Sequence, residues 1–443
     1  MAGLSVYRGS FDAAAAERLL WRAGFGPRPG EAAELAKAGL DGAVAGLLQP
    51  PPLQLTGPEP HDDDGLPLAP NDAWAHDHLW WLDRMVRTNQ PLVERMTLNW
   101  HDWFATGDVG PQSLNLAQNE LFRRYALGSF RQLLVKVTRD PAMLVWLSGN
   151  ENTKWAPNEN YARELMELFT LGANAGYSED DVREQARALT GWTSDWSDEG
   201  PSDFQYDPDL HDRGRKRILG EKGRFDWRDS CRLCLEHKRH PGFFVGKLWS
   251  CFVPTPLDAA TGKGLRKLYV QSRYAVRPVV EAILKHPSFY EGPRMVKPPV
   301  VYIAGLLRAR GRGIETEAWG WISDQSGQRL FDPPNVAGWN DERWLDTSTL
   351  RGRWTAASRI TRTEVLLTKN PYDTAENPAT AVDRALEYWG RPTISPTSRA
   401  ELEGFASRVE SLIDRTWKQS QYRVLRQNAL RMLVATSPDL QTC

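Results

Sequence analysis

Apolar residues return every three to four positions along most of this chain, a period that predicts helices rather than strands. The clearest run is 157–172. At 3.6 residues per turn, Tyr161, Ala162, Leu165, Met166, Leu168 and Phe169 fall on one face. Glu159, Asn160, Arg163, Glu164 and Glu167 fall on the other. Pro157 and Asn158 open this helix and Gly172 closes it. Ser178 caps the next helix, with Asp181 at the capping-box position and Gly191 as its stop. Asn160, Glu164 and Glu167, at i, i+4 and i+7, line up as one polar stripe. Such a stripe serves either as the wall of a cleft or as a solvated face stitched by Arg163 to Glu159 and Glu167.

The same period, with its stops, organises the rest. Residues 11–48 read as two or three short helices, punctuated by Gly24, Pro27, Pro29, Gly39 and Gly42. The stretch 49–70 is too rich in proline to be helical and reads as a loop or wrapping arm. Helices are expected at 72–88, at 91–105 and, three of them, over 112–148. The pattern lapses over 193–225, where a long loop with a small hairpin is expected. It resumes at 226–239, 241–253, 260–272, 275–285 and 300–310. A second irregular segment covers 327–350, and three or four amphipathic helices cover 351–436. No alternating strand series and no internal repeat is present. The expected fold is therefore mostly α: a single large, bundle-like multi-helix domain with long irregular loops and at most a small β-hairpin. Its expected parts are N-terminal helices (1–48), the proline-rich loop (49–70), a main helical domain (71–350) and C-terminal helices packed on it (351–443).

Composition narrows the function classes. The 443 residues are 41% hydrophobic and 25% charged, as in a globular protein, with a net charge of −1. No basic surface for a nucleic acid follows from that balance. No run of about 18 apolar residues exists, so no membrane span is expected. No basic segment followed by an apolar one opens the chain, and the four cysteines do not make a disulfide framework, so the sequence reads as cytoplasmic. It says nothing of oligomeric state.

Six segments carry a resemblance: Arg18-Leu-Leu-Trp-Arg-Ala-Gly-Phe-Gly-Pro27, Asn158-Glu-Asn-Tyr-Ala-Arg-Glu-Leu-Met-Glu-Leu-Phe-Thr-Leu-Gly172, Asp181-Val through Ala188-Leu-Thr-Gly-Trp192, His211-Asp-Arg-Gly-Arg-Lys-Arg-Ile-Leu-Gly220, His240-Pro with Lys247-Leu-Trp and Phe252-Val, and Phe331-Asp-Pro-Pro-Asn-Val-Ala-Gly-Trp339. In order and across nearly the whole chain, they resemble the bacterial family called domain of unknown function 1800. The resemblance implies a helical protein but no activity. Relatives in that family are often exported with a leader, which this sequence lacks.

The chemistry is therefore argued from residue types. Polar residues concentrated in separate motifs fit an assembled cleft better than a packed core. The candidate catalytic residues are Glu159, Glu164, Glu167, His211 and Asp212. The candidate substrate-binding residues are His101, Asp102, Asn158, Asn160, Arg163, Lys216, Asp332, Asn335 and Trp339. In one reading, one glutamate is a general acid and another, or Asp212, a base or nucleophile. The substrate would be a glycan or other polar molecule stacked on some of the 19 tryptophans. A second reading has His101, Glu164, Glu167 and His211 holding a divalent metal, although no Glu-x-x-His pair occurs. In a third, the protein is a non-catalytic helical scaffold or binding protein. His101, on an aromatic helix, also has the plain reading of a hydrogen-bonded core residue.

Cys231, Cys234, His237 and His240 recur every three residues and suggest zinc. On one continuous helix each step of three turns by about 300°, so the four side chains would not converge. The rigid Asp332-Pro-Pro-Asn335 segment serves either to present Trp339 to a ligand or to plug the bundle with it. Phosphate loops, dinucleotide fingerprints, serine-hydrolase elbows and His-Glu-x-x-His are all absent from the sequence.

Overall fold

Aspartates, serines and prolines at the helix starts set the architecture. The computed structural model describes residues 4–107, 109–369, 372, 376–411 and 419–443. Asp12, Ser129, Asp140, Asp258 and Asp346 each accept first-turn amides of a helix. Ser178 with Asp181 and Asp226 with Asp229 form reciprocal capping boxes. Pro91, Pro141, Pro299 and Pro378 stand in the first turn of theirs, where no amide donor is needed. The fold is mostly α. The expected helices fall at His76–Arg87, Pro91–Trp103, Trp227–Glu236, His240–Ser250, Ala259–Gln271, Arg277–Leu284 and Pro299–Arg310. Thr347–Thr363, Pro378–Tyr388, Pro396–Ser411 and Gln419–Thr436 make up the C-terminal set.

The irregular segment 193–225 departs from expectation by holding two hairpins rather than one. Trp192–Ser197 pairs antiparallel with Gly200–Tyr206, and Lys216–Ile218 with Glu221–Gly223. Two of these strands are too short, and Trp192–Ser197 runs from buried to exposed without alternating, so the period-2 signal is weak. Among the described residues these are the two sheets. The proline-rich arm 49–70 is pinned by backbone bonds from Thr56 N–H to the Arg87 carbonyl and from His61 N–H to the Ile314 carbonyl, both 3.0 Å. No helix among the described residues is long and apolar enough to cross a membrane.

Burial separates two hydrophobic cores. One gathers Trp100, Trp103, Phe104, Phe130, Phe169, Phe244, Tyr269 and Ile283. The other gathers Leu79, Trp81, Leu82, Val300, Ile303, Trp319, Ile360, Val382 and Val434. Two helices feed both. Ala13–Arg22 gives Leu19 to the first and Trp21 to the second, and Pro91–Trp103 gives Met96 and Trp100 to the first and Leu98 to the second. The second core thus joins residues near 80 to helices beyond 300, across the division at 350 that the chain order suggests.

Candidate functional site

The helix that opens at Asn160 stays α-helical only through Glu164, then widens into a π-turn over Leu165–Leu171. The chain leaves it at Gly172, whose φ is +94° and whose missing side chain makes room for the Phe243 ring. The last carbonyls of such a turn have no helical donor. Three side chains from distant segments supply one each. Lys247 Nζ donates to the Leu168 carbonyl at 3.3 Å, and Trp103 Nε1 to Phe169 at 3.2 Å. His240 Nδ1 lies 2.9 Å from the Thr170 carbonyl, and its Nε2 lies 3.0 Å from the Tyr269 hydroxyl. Thr170 Oγ1 closes the turn on the Leu165 carbonyl.

The π-turn redistributes the expected stripe. Asn160 is exposed, and its amide is taken by Asn158 Oδ1 at 2.9 Å. The amide of Asn158 donates in turn to Asn152 Oδ1, so both asparagines shape the helix start. Arg163 pairs with Glu159 at 3.2 Å and with Glu179 at 2.7 Å, which makes Glu159 and Arg163 part of a surface ion-pair chain. Glu164 and Glu167 are different. Both are half-buried. Glu167 accepts from the Tyr177 hydroxyl at 3.2 Å. Glu164 has no hydrogen-bond donor among the described residues. Burial raises its pKa, and the neighbouring Glu167 charge raises it further, against the pull of Arg163.

His211 and Asp212 sit elsewhere, under the end of the helix Glu179–Ala188. His211 Nδ1 lies 3.0 Å from the Thr190 carbonyl and 3.2 Å from its hydroxyl, and burial lowers the ring's pKa. Asp212 takes a two-pronged grip from Arg187, at 2.7 and 3.2 Å, and an amide bond from Gly214 at 2.7 Å. Burial works against its charge, but Arg187, the Gly214 amide and Lys216 outweigh it and hold the carboxylate below its ordinary pKa. Lys216 is buried and donates to the Asp212 and Gly214 carbonyls. It braces the loop rather than reaching for a ligand.

The residues expected with them at a binding site form a third group. His101 Nε2 accepts the Phe331 amide at 3.2 Å. Its ring packs on Trp81, Phe331 and Trp339 at 5.2–5.5 Å between centroids, and burial lowers its pKa to about 3. It is a buried core histidine with one nitrogen already engaged by a backbone amide. Asp102 accepts the Trp339 amide at 3.0 Å. Burial raises its pKa to about 6, opposed by that amide and by Lys247. Gly338, at φ +91°, lies so close that a Cβ there would come 2.2 Å from Asp102 Oδ1. Asp332 and Asn335 are exposed. Asp332 lies 3.7 Å from Arg329, and Asn335 Oδ1 accepts the Ala337 amide at 2.8 Å, shaping its own turn. Trp339 is half-buried, its ring 5.3 Å from that of His101.

These bonds tie four of the six motif segments in two pairs, 158–172 with 240–253 and 181–192 with 211–220. Residues 18–442 match the family described as a protein of unknown function, DUF1800. The chain belongs to this family. No curated protein and no solved structure matches it. The DUF1800 segments thus contact one another through backbone carbonyls and amides and through the Arg187–Asp212 ion pair.

The Cys-x-x-Cys-x-x-His-x-x-His series of this DUF1800 chain does not converge. Cys231 Sγ meets the Thr138 hydroxyl at 3.1 Å, and Gln185 Nε2 donates to Cys234 Sγ at 3.3 Å. Burial pushes both thiols up to about 12, so neither offers a thiolate. His237 is the C-cap of its helix and His240 belongs to the next one. Among the described residues no three His, Cys, Asp or Glu side chains are gathered so as to hold a metal ion, which covers both the zinc series and the set His101, Glu164, Glu167 and His211.

A groove of about 700 Å³ opens beside the first turn of the DUF1800 motif helix. Pro157 and Glu159 form one wall, Asp180, Arg183, Glu184 and Arg187 another, with Arg217 at the rim. Tyr177, Arg187 and Lys247 bond to the candidate residues and motif segments, and the sequence pattern did not single them out. Lys247 was signalled by its motif alone. Tyr177 and Arg187 had no local signal, because their partners lie across a turn or 25 residues away.

Proposed function

We propose that this DUF1800 protein is an enzyme of acid–base chemistry on a polar substrate, with Glu164 as the proton donor and Glu167, oriented by Tyr177, as its partner carboxylate. The observation that carries the reading is the state of Glu164: half-buried, beside a second carboxylate, and without a hydrogen-bond donor among the described residues. A carboxyl so placed keeps its proton to higher pH than a free glutamate and can give it to a leaving group. Hydrolysis of a glycosidic bond fits such a pair, one carboxyl protonating the departing oxygen while the other assists water or attacks. The π-turn supports this reading, since such turns recur at functional sites. The groove along Pro157 and Glu159 offers a path for a hydroxyl-rich substrate to the same helix.

The test combines catalysis with titration. Wild-type protein, Glu164→Gln and Glu167→Gln are assayed on a panel of chromogenic glycosides and polysaccharides. Both variants should keep the wild-type melting temperature within about 2 °C and lose hydrolysis by about a hundredfold or more. Carbon-detected NMR should place the Glu164 carboxyl above the ordinary glutamate value. Undiminished turnover in Glu164→Gln, or an ordinary titration of Glu164, overturns the assignment.

A further inference from the structure

The helix Thr347–Thr363 contains four arginines and no acid. Arg353 is buried in the second core, which leaves Arg351, Arg359 and Arg362 on the outer side. That side also carries Trp354, 50% exposed, and faces Trp321, 41% exposed, on the neighbouring helix Ala318–Gln325. The two indoles and the arginines Arg359 and Arg362 line one groove of about 570 Å³, with the hydroxyls of Thr355 and Ser358 between them. No carboxylate among the described residues lines it. Among the described residues Arg359 donates to the neutral Thr316 hydroxyl alone, at 3.0 Å, so its charge stays available. Two exposed tryptophans at one place are costly to leave in water, and their packing inside the fold does not require that exposure.

We propose that this groove binds a chain of acidic sugars, of the uronic acid class. Indole faces stack on the C–H faces of pyranose rings, serine and threonine hydroxyls match sugar hydroxyls, and guanidinium groups pair with carboxylates in fixed geometry. A neutral glycan leaves the uncompensated arginines unused. A flat anionic bilayer prefers a convex apolar face, whereas this surface is concave between two helices. The site lies on the second core, apart from Glu164 and Glu167, and stands or falls independently of their assignment.

The probe is a hexamer of galacturonic acid, with its fully methyl-esterified form as the neutral control, titrated into the full chain by calorimetry. Vesicles of phosphatidylglycerol form a second arm. Saturable binding of the acidic hexamer is expected, weakening as salt rises. Binding should drop about tenfold or more for Trp354→Ala, for Arg362→Ala and for the ester. Both residues are exposed, so each variant should keep the wild-type melting curve. Absence of saturable binding, equal affinity for the ester, unchanged binding by Trp354→Ala, or retention on vesicles without binding of the hexamer each overturns the proposal.

Discussion

His101 gives up one lone pair to the Phe331 amide and spends the rest of its ring on aromatic contacts. Its protonation therefore costs the fold. With a folded pKa near 3 against the usual 6.5, the stability it contributes is complete above about pH 6.5 and is lost as pH falls toward 3. His78, also near 3, and His240, near 4, act in the same direction for the same cause, burial. Asp83, Asp102 and Asp140 oppose them. Burial raises each to about 6, so their protonated form suits the fold and each costs stability as pH rises from 3.8 to about 6. Nitrogen-detected NMR should find the His101 and His240 rings neutral from pH 8 down to 5. A midpoint near 6.5 for either would show the ring to be solvated. At this scale the sequence shows the residue types present but not what each pairs with. His101 and Glu164 are both polar groups on amphipathic helices, and only the presence or absence of a partner across the fold separates them.

The π-turn Leu165–Leu171 is held by three side chains from two other helices, Pro91–Trp103 and His240–Ser250. Lys247→Met leaves the Leu168 carbonyl without its donor and the Asp102 charge without its nearest cation, and should cost about 1–3 kcal/mol. Lys247→Arg should recover part of that loss in denaturant titration. The loop ending at Trp339 is tighter still. At Gly338 a Cβ would meet Asp102 Oδ1 at 2.2 Å and the Asp102 carbonyl at 2.8 Å, at a φ of +91°. At Gly172 it would meet only the Phe243 ring edge, at 3.1 Å. Gly338→Ala should therefore cost more than Gly172→Ala, with the former above about 2 kcal/mol. Equal costs would mean that the loop shifts freely. Helix positions were legible in the sequence because caps and prolines act within a few residues. The widening of the motif helix was not, since one extra residue in a turn leaves the apolar pattern almost unchanged and moves only the polar stripe.

Two cores sharing helices make a molecule in which distant segments depend on each other. Arg22 shows this most directly. Its guanidinium donates to the carbonyls of Phe289 at 2.8 Å, Pro293 at 2.7 Å and Cys443 at 2.9 Å, joining the first core to the last residue of the second. Arg22→Met leaves those carbonyls unmet in a buried place and should cost about 3 kcal/mol or more. A drop in melting temperature felt equally by probes in both cores would confirm the link, and a loss confined to one would refute it.

The sequence by itself determined the mostly helical class, the order of the helices and the family, because periodicity, caps and motifs are written within a few residues of one another. Only the tertiary structure decided which polar motif residues are bound up in bracing and which are left unpaired. The partners that settle this lie far along the chain, 230 residues from His101 to Phe331 and 421 from Arg22 to Cys443. A carboxylate's environment is set by what folds over it, and no local pattern records that.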